Sequence, residues 1–492
     1  MIKIHNIRAG FATNSSSTHS VVIIPKPLVG TIPQRYNDDT IYGWDNFVLT
    51  TVDSKMEYFA AQLYTALNRT VDDDVAIQII YDITGVNISD YKANGLQGDE
   101  YISLGVDHQS VWCMDGVDIT SSDYISFMHD LREYLSKDEI VIFGGNDNSD
   151  GNPHMPTNAK LDYIINDTLG VDYPLSKKMI RKDGDYYTFF SKMSGTKIRV
   201  SLKDGVAPYK KSTTPELVDL KITQFCPYGC SFCYMGSTKE GVHASLERIK
   251  HYVDMMADLK VMEIALGGGE PTTHPNFVEI LEYIDSKGMV VNFTTFSVKW
   301  LNDEQIVNAV RKYVSAIGVS VLSEKDLNKV IKINEVVNDT AKFNRKNNIS
   351  ILAQHVIGAS PQEETARLLI AAWTKGLNVL LLGYKKVGFG KDYTPYPIDQ
   401  VLLLLKLSIV EKKYYYSEVK FLAVDTAFVS KFKKFLRELG ISNKLISSPE
   451  GKFSMYIDAV EGRAAPSSYC SIKKYSEMPG TSEELKTLYQ KY

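Results

Sequence analysis

From position 217 onward the chain alternates strand-length apolar runs with stretches of helical period, and this alternation limits the fold more than any other feature. The runs are 217–223, 261–266, 290–295, 316–321, 350–356 and 378–382. Between them lie 245–259, 276–287, 302–313, 325–346 and 361–375, each with helical length and apolar spacing. Repeats of this kind join parallel strands through right-handed helical crossovers. An α/β fold is therefore expected, with a partial (β/α)6, TIM-like barrel over residues 206–395.

The full 492 residues exceed what one core holds, so further domains are expected. Residues 1–205 read as a separate mixed α+β domain of unrecognised fold, suited to substrate recognition. It has helical periods near 56–68 and 124–135 and strand-like runs at 20–25 and 139–143. Just before the barrel, 185–191 and 196–202 alternate apolar and polar residues around Met193-Ser194-Gly195. That pattern predicts a hairpin, an added edge for the barrel. Residues 396–492 read as a short C-terminal cap, with strands at 419–424 and 453–457 and a helical period between them reaching Leu439.

Apolar residues at 44%, charged residues at 23% and a net charge of -4 fit a soluble protein without broad attraction to nucleic acid or anionic lipid. Apolar runs such as 401–405 fall far short of the roughly 20 residues a bilayer crossing needs. The N-terminus lacks the apolar centre of a secretory signal, and five cysteines, three of them on one loop, do not form a disulfide framework. A reducing, cytoplasmic setting is expected.

Cys226, Cys230 and Cys233 form a CxxxCxxC triplet. Three thiolates on one loop suit three corners of an iron-sulfur cubane and leave one iron open; a structural zinc site would need a fourth ligand, for which His243 is the nearest candidate. A second segment, Leu266-Gly267-Gly268-Gly269-Glu270-Pro271, follows the next strand, and its glycines let backbone approach a ligand closely. Both segments fall at the C-terminal ends of successive strands, where βα barrels hold ligands. Together they resemble the radical S-adenosylmethionine (radical SAM) superfamily, in which CxxxCxxC with an aromatic before the last cysteine, here Phe232, precedes a Gly-Gly-Glu-Pro element. The resemblance covers about 217–391.

The resemblance implies that Cys226, Cys230 and Cys233 ligate a [4Fe-4S] cluster whose fourth iron is chelated by S-adenosyl-L-methionine. An electron from an external donor such as flavodoxin or ferredoxin then cleaves the sulfonium to methionine and a 5'-deoxyadenosyl radical, which abstracts hydrogen from an unactivated carbon. It also implies Phe232 beside the adenine, Gly268, Gly269 and Glu270 toward the methionyl ammonium, and Pro271 fixing the turn. Thr295 or Ser297 would meet the ribose, Ser320 the carboxylate and Val356 the adenine. Strand three ends in Thr294-Thr295-Phe296-Ser297 where the family often has Thr-Asn-Gly. The plainer readings are barrel packing for Phe232, a tight turn for the glycines and rim polarity for the rest.

Strand six runs into Gly383-Tyr384-Lys385-Lys386-Val387-Gly388-Phe389-Gly390, where two glycines loosen a basic, aromatic loop. Tyr384 and Lys385 are candidates for meeting a carboxylate or phosphate of the substrate, against the plainer reading of a solvated lysine pair. Asp425, after a possible seventh strand, is a third catalytic candidate. After residue 233 only Cys470 remains, so extra clusters are not expected; Cys113 and Cys470 read as small buried hydrophobes. The segment 146–151 opens like a calcium loop but has Asn146 first and Thr157 twelfth, so it reads as a turn-rich loop. The hydroxyl-rich segment 11–20 reads as a loop, or more adventurously as a peptide-like substrate in cis.

The leading expectation is an oxygen-sensitive radical SAM enzyme, an oxidoreductase or transferase acting on a peptide or protein side chain. Alternatives are the same chemistry on a nucleotide or small metabolite, methyl transfer or activation of a partner's glycyl radical, and a structural zinc-binding module.

Overall fold

The computed structural model describes 211–339, 349–411, 422–439 and 450–492, and before them 3–8, 20–25, 41–42, 47–49, 51–67, 72–88, 105–106, 121–138, 140–145, 178–192, 195 and 197–202. The segments 146–151 and 11–19, with Cys113 and Thr157, lie outside the described residues. The chain divides into two compact units, Met1–Tyr209 and Lys210–Tyr492.

In the first unit, β1 (Lys3–Arg8), β9 (Lys197–Ser201), β8 (Tyr186–Ser191) and β7 (Lys178–Asp183) form one sheet in that order. A second sheet orders β2 (Ser20–Pro25), β6 (Ile140–Gly145) and β4 (Phe47–Leu49), and β3 (Ile41–Tyr42) pairs with β5 (Gly105–Val106). Helices α1 (Val52–Leu67), α2 (Asp73–Thr84) and α3 (Ser122–Leu135) supply much of its core, including Phe59, Leu63, Ile80, Phe127 and Leu131. The predicted hairpin exists as the β8–β9 pair, but it is not an edge of the barrel sheet. Its second strand pairs with β1 at the chain's start instead.

In the second unit a ten-stranded sheet holds β10 (Leu217–Thr223), β11 (Glu263–Gly268), β12 (Val290–Thr295), β13 (Val314–Ser320), β14 (Ser350–Val356), β15 (Val379–Leu382), β16 (Leu422–Val424), β17 (Ser454–Asp458), β18 (Arg463–Ala465) and β19 (Ser476–Glu477). The order is β16-β15-β14-β13-β12-β11-β10-β17-β18-β19, and the pairs from β16 through to β17 are parallel. Between the strands run α4 (Leu246–Asp258), α5 (Phe277–Ser286), α6 (Glu304–Tyr313), α7 (Leu327–Val337) and α8 (Gln362–Thr374), where the helical periods predict them, and α9 (Asp399–Glu411), which the sequence reading does not place. Sequence reading places six strands in this sheet and leaves the rest to a cap. The structure corrects that: β16 extends one edge, and β17, from the expected cap, lies parallel to β10 on the other.

β17 is held there by burial of Met455 and Ile457 and by an ion pair, Lys221 Nζ to Asp458 Oδ2 at 2.8 Å, with both side chains about 6% exposed. The helix-covered face of the sheet is apolar: Val218, Leu220 and Ile222 of β10 and Val291 and Phe293 of β12 all belong to the core. Alternate residues carry polarity to the other face, as with Asp219, Lys221, Asn292 and Thr294. A parallel sheet buried against carbon on both sides would read as continuous apolar runs, so this alternation marks an inner face built around something polar.

The sheet is also curled. Phe389 N, in the loop after β15, donates to Cys233 O after β10 at 2.9 Å, although four strands separate β15 from β10. On a flat sheet those ends would stand roughly 24 Å apart, five strand spacings. No helix among the described residues is long and apolar enough to cross a membrane.

Candidate functional site

The cysteine loop leaves the end of β10 and is shaped by the chain's own backbone. Cys226 N donates to Thr238 O at 2.8 Å, Cys233 N to Cys230 O at 3.1 Å and Gly236 N to Cys233 O at 3.2 Å. Gln224 Nε2 ties the far side by donating to Met235 O and Gly236 O at 3.1 and 3.0 Å. The three cysteines are half-buried. Burial pushes the Cys230 thiol up to about 11, helped by the charges of Cys233 and Cys226, and burial likewise raises Cys226, with Glu270 and Cys233 adding to it. Cys226 and Cys230 both feel the charge of Cys233, and both resist ionising unless a cation stabilises the thiolates.

Among the described residues no group of three or more His, Cys, Asp or Glu side chains is arranged to hold a single metal ion. A cubane gives each thiolate its own iron and so needs its ligands spread wider than the shared ion of a zinc site does. His243 is engaged elsewhere: its Nδ1 lies 2.8 Å from Thr223 Oγ1, on the strand-like strap that runs back along the end of β10.

The second motif packs directly on this loop. Gly269 N donates to Thr223 O at 2.8 Å and Glu270 N to Phe225 O at 2.9 Å. A Cβ on residue 269 would stand 1.9 Å from Phe225 O and 3.2 Å from Cys226 Cβ, so only glycine permits the approach. At Gly267 a Cβ would meet nothing within 4 Å, which leaves an open cradle beside the cysteine loop.

Glu270 is buried, and both carboxylate oxygens are engaged by this chain. Oε1 accepts from Thr272 Oγ1 and Thr295 Oγ1, each at 2.7 Å, while Oε2 accepts from Phe296 N at 2.9 Å and Ser297 N at 3.3 Å. In this arrangement Glu270 fixes the end of β12 against the end of β11, rather than standing free for a ligand. Pro271 opens the short turn after it.

The other expected contacts fall at successive strand ends. Thr295 and Ser297 are buried in the Glu270 network. Ser320 ends β13 opposite Gln354, and Val356 ends β14 opposite Leu382. Phe232 meets the edge of the Tyr393 ring, centroids 5.9 Å apart.

The loop after β15 differs from the sequence reading. Its glycines do not loosen it; Gly388, at φ +56°, lets the backbone pass close to Tyr234 O and Cys233 O, where a Cβ would stand at 2.4 and 2.7 Å. The Tyr384 hydroxyl is not presented to a substrate: it donates to Gly390 O at 2.5 Å and Tyr393 O at 3.2 Å, closing the loop on itself. Asp425 Oδ1 accepts from Gly383 N and from Phe428 N, both at 2.8 Å, and so caps α10 (Thr426–Lys431) and ties it to β15. Its Oδ2 lies 3.8 Å from Lys385 Nζ.

Lys385 turns inward, its Nζ 4.5 Å from the Tyr234 ring centre and 4.8 Å from that of Tyr469. Burial works against its charge, but Tyr234, Asp425, Asp219 and Glu450 outweigh burial and hold its pKa up. With acids around it, Lys385 is not a free anchor for an anion.

Sequence reasoning missed two features of the inner face. Asp219 of β10 reaches Lys385 and Glu450 electrostatically across the curl; burial lifts its carboxyl to about 6, Lys385 opposing and Glu450 and Glu263 assisting. Tyr228, Phe296 and Lys329 stack beside the cysteines. The alternation at 217–223 hints at the first, and nothing local hints at the second.

A family model described as the Radical SAM superfamily matches residues 220–356, from within β10 to the end of β14. The chain carries a radical SAM domain. All three cysteines and the Gly-Gly-Glu-Pro segment lie inside it. Over 68 residues the chain is 37% identical to the antilisterial bacteriocin subtilosin biosynthesis protein AlbA of Bacillus subtilis (strain 168), covering 14% of this chain and 15% of AlbA. Over 105 residues it is 28% identical to an S-adenosylmethionine-dependent nucleotide dehydratase of Selenomonas ruminantium, covering 21% of this chain and 38% of that protein. Among solved structures, Streptococcus suis SuiB bound to precursor peptide SuiA aligns at 14% identity with a TM-score of 0.44, over 57% of this chain and 66% of SuiB. The chain thus matches well under half the length of either curated relative.

The radical SAM family uses a [4Fe-4S] cluster and S-adenosylmethionine. The donor set fits those groups: three neighbouring thiols that a cation would neutralise, beside an open glycine cradle.

Proposed function

We propose that this chain is a radical SAM enzyme that removes a hydrogen atom from a peptide or protein side chain. The observation that carries the reading is the junction of the two motifs, where Gly269 N and Glu270 N donate to Thr223 O and Phe225 O and bring the glycine cradle against the cysteine loop. Cys226, Cys230 and Cys233 hold the cluster, and the open side of Gly267 receives the methionyl end of the cofactor, with Gly268 allowing the backbone to pass close to Thr223 O. Phe232, Ser320 and Val356, on the rim of a partial (β/α)6 barrel, border the adenosine. Held there, the cluster and S-adenosylmethionine would supply one-electron reductive cleavage of the sulfonium, with a flavodoxin- or ferredoxin-type protein as electron donor, and so the power to take a hydrogen atom from an unactivated carbon.

The chain's own residues position and enclose. Glu270, through four accepted hydrogen bonds, fixes the β12 end beside the cradle; Gly388 and the Phe389 N to Cys233 O bond close the β15 loop over the cysteines. Tyr234, Lys385, Tyr469 and Asp219 gather where β15 meets β10, beside the cysteine loop, and there the substrate carbon is presented. Residues 1–205 serve in substrate recognition. The likeness to a bacteriocin biosynthesis protein favours a peptide, and the likeness to a nucleotide dehydratase supports the second reading, a nucleotide substrate.

The test is anaerobic incubation of reduced, reconstituted protein with S-adenosylmethionine and peptides encoded beside its gene, deuterated at side-chain carbons. Deuterium in 5'-deoxyadenosine together with a changed peptide mass is expected. Label transfer from a nucleotide pool and none from any peptide would overturn the peptide reading.

A further inference from the structure

Lys329 stands in the first turn of α7, one aromatic ring away from the cysteine loop. Its Nζ lies 3.5 Å from the centre of the Phe296 ring. Phe296 meets the edge of Tyr228, centroids 4.8 Å apart at 60°, and Tyr228 sits between Cys226 and Cys230. Phe296 and Lys329 are each fixed from behind. Phe296 N donates to Glu270 Oε2, and Lys329 Nζ pairs with Asp326 Oδ1 at 2.8 Å. Asp326 is pinned in turn, its Oδ2 accepting from Leu322 N at 2.9 Å and Ser323 N at 3.1 Å.

The lysine side chain is about 24% exposed, so water screens its charge only in part. An exposed lysine gains little from holding one rotamer, whereas this one is clamped between the Asp326 carboxylate and the face of Phe296, the ring that touches Tyr228 of the cysteine loop.

We propose that Lys329 is a positioning residue for the cluster's charge: its ammonium, held over Phe296, stabilises the extra electron when the cluster on Cys226, Cys230 and Cys233 is reduced, and so sets the cluster's reduction potential. This rests on the radical SAM reading above. A [4Fe-4S] core in its 2+ state with three thiolates carries one net negative charge. One electron from the external donor makes that two; no bond forms or breaks and no proton moves. A fixed cation favours the more negative state, and cluster potentials follow net charge, hydrogen bonding and exposure.

The test is a potentiometric titration of the reconstituted cluster by electron paramagnetic resonance, without S-adenosylmethionine, in full-length wild-type, Lys329→Met, Lys329→Arg and Asp326→Asn proteins of matched iron content. Lys329→Met is expected to shift the midpoint to more negative values by about 59 mV, a tenfold change in the reduced fraction at fixed potential for one electron. Lys329→Arg restores most of it, and raising the salt concentration narrows the gap. Asp326→Asn, which removes the counter-charge, moves the midpoint the opposite way, an opposition that simple loosening of the loop would not produce. Equal midpoints for wild type and Lys329→Met, or a shift of the same sign for Lys329→Met and Asp326→Asn, would overturn the proposal. A wild-type protein that assembles no cluster would instead overturn the function on which it rests.

Discussion

Asp219 shows how one residue's environment becomes measurable. Burial lifts its carboxyl from an ordinary 3.8 to about 6. Because the folded pKa lies above the unfolded one, the folded state holds the proton more tightly. The neutral form's contribution is therefore complete below about pH 4 and is lost as pH rises through about 6. Ionised Asp219 costs up to ~3 kcal/mol at neutral pH, from the shift at 1.36 kcal/mol per pH unit. Asp219→Asn should accordingly raise the thermal midpoint at pH 7.5 and leave it unchanged below pH 4, as read by scanning calorimetry; equal midpoints at both pH values would contradict the assigned environment. The sequence shows Asp219 as a polar residue in an apolar run, but its neighbours Lys385 and Glu450 come from distant segments, so only the fold reveals its environment. The cysteines are the opposite case, because their spacing is local and their chemistry can be read without a structure.

At the level of elements, local periodicity encodes the strands and helices but not the sheet's outer partners. The alternation from 217 to 382 places six strands and their crossovers close to where they lie, since apolar spacing is set by each element's own geometry. The position of β17 beside β10 is not encoded nearby. It depends on Lys221 meeting Asp458 across 237 positions of sequence. That pair also makes the placement testable. Lys221→Met leaves Asp458 buried without its cation, at a cost of about 3–5 kcal/mol. Adding Asp458→Asn removes the stranded charge, while Oδ1 keeps the amide donors Val460 N and Glu461 N, both at 3.0 Å. Denaturant unfolding should show the single variant strongly weakened and the double variant largely recovered; a double variant no better than the single would mean that the pair does not anchor β17. The same limit explains Tyr384 and Asp425, whose roles in closing a loop and capping a helix depend on backbone groups that composition does not show.

For the whole molecule, the account depends on the curl that brings the loops after β10, β11 and β15 to one rim. The measurement that tests it most directly is the iron and sulfide content and electron paramagnetic resonance spectrum of anaerobically reconstituted, reduced protein before and after S-adenosylmethionine is added. Close to four irons and four sulfides per chain are predicted, with a reduced-cluster signal that changes when the cofactor binds and that is absent in Cys230→Ala. Zinc in place of iron, or a cluster signal indifferent to S-adenosylmethionine, would contradict the account.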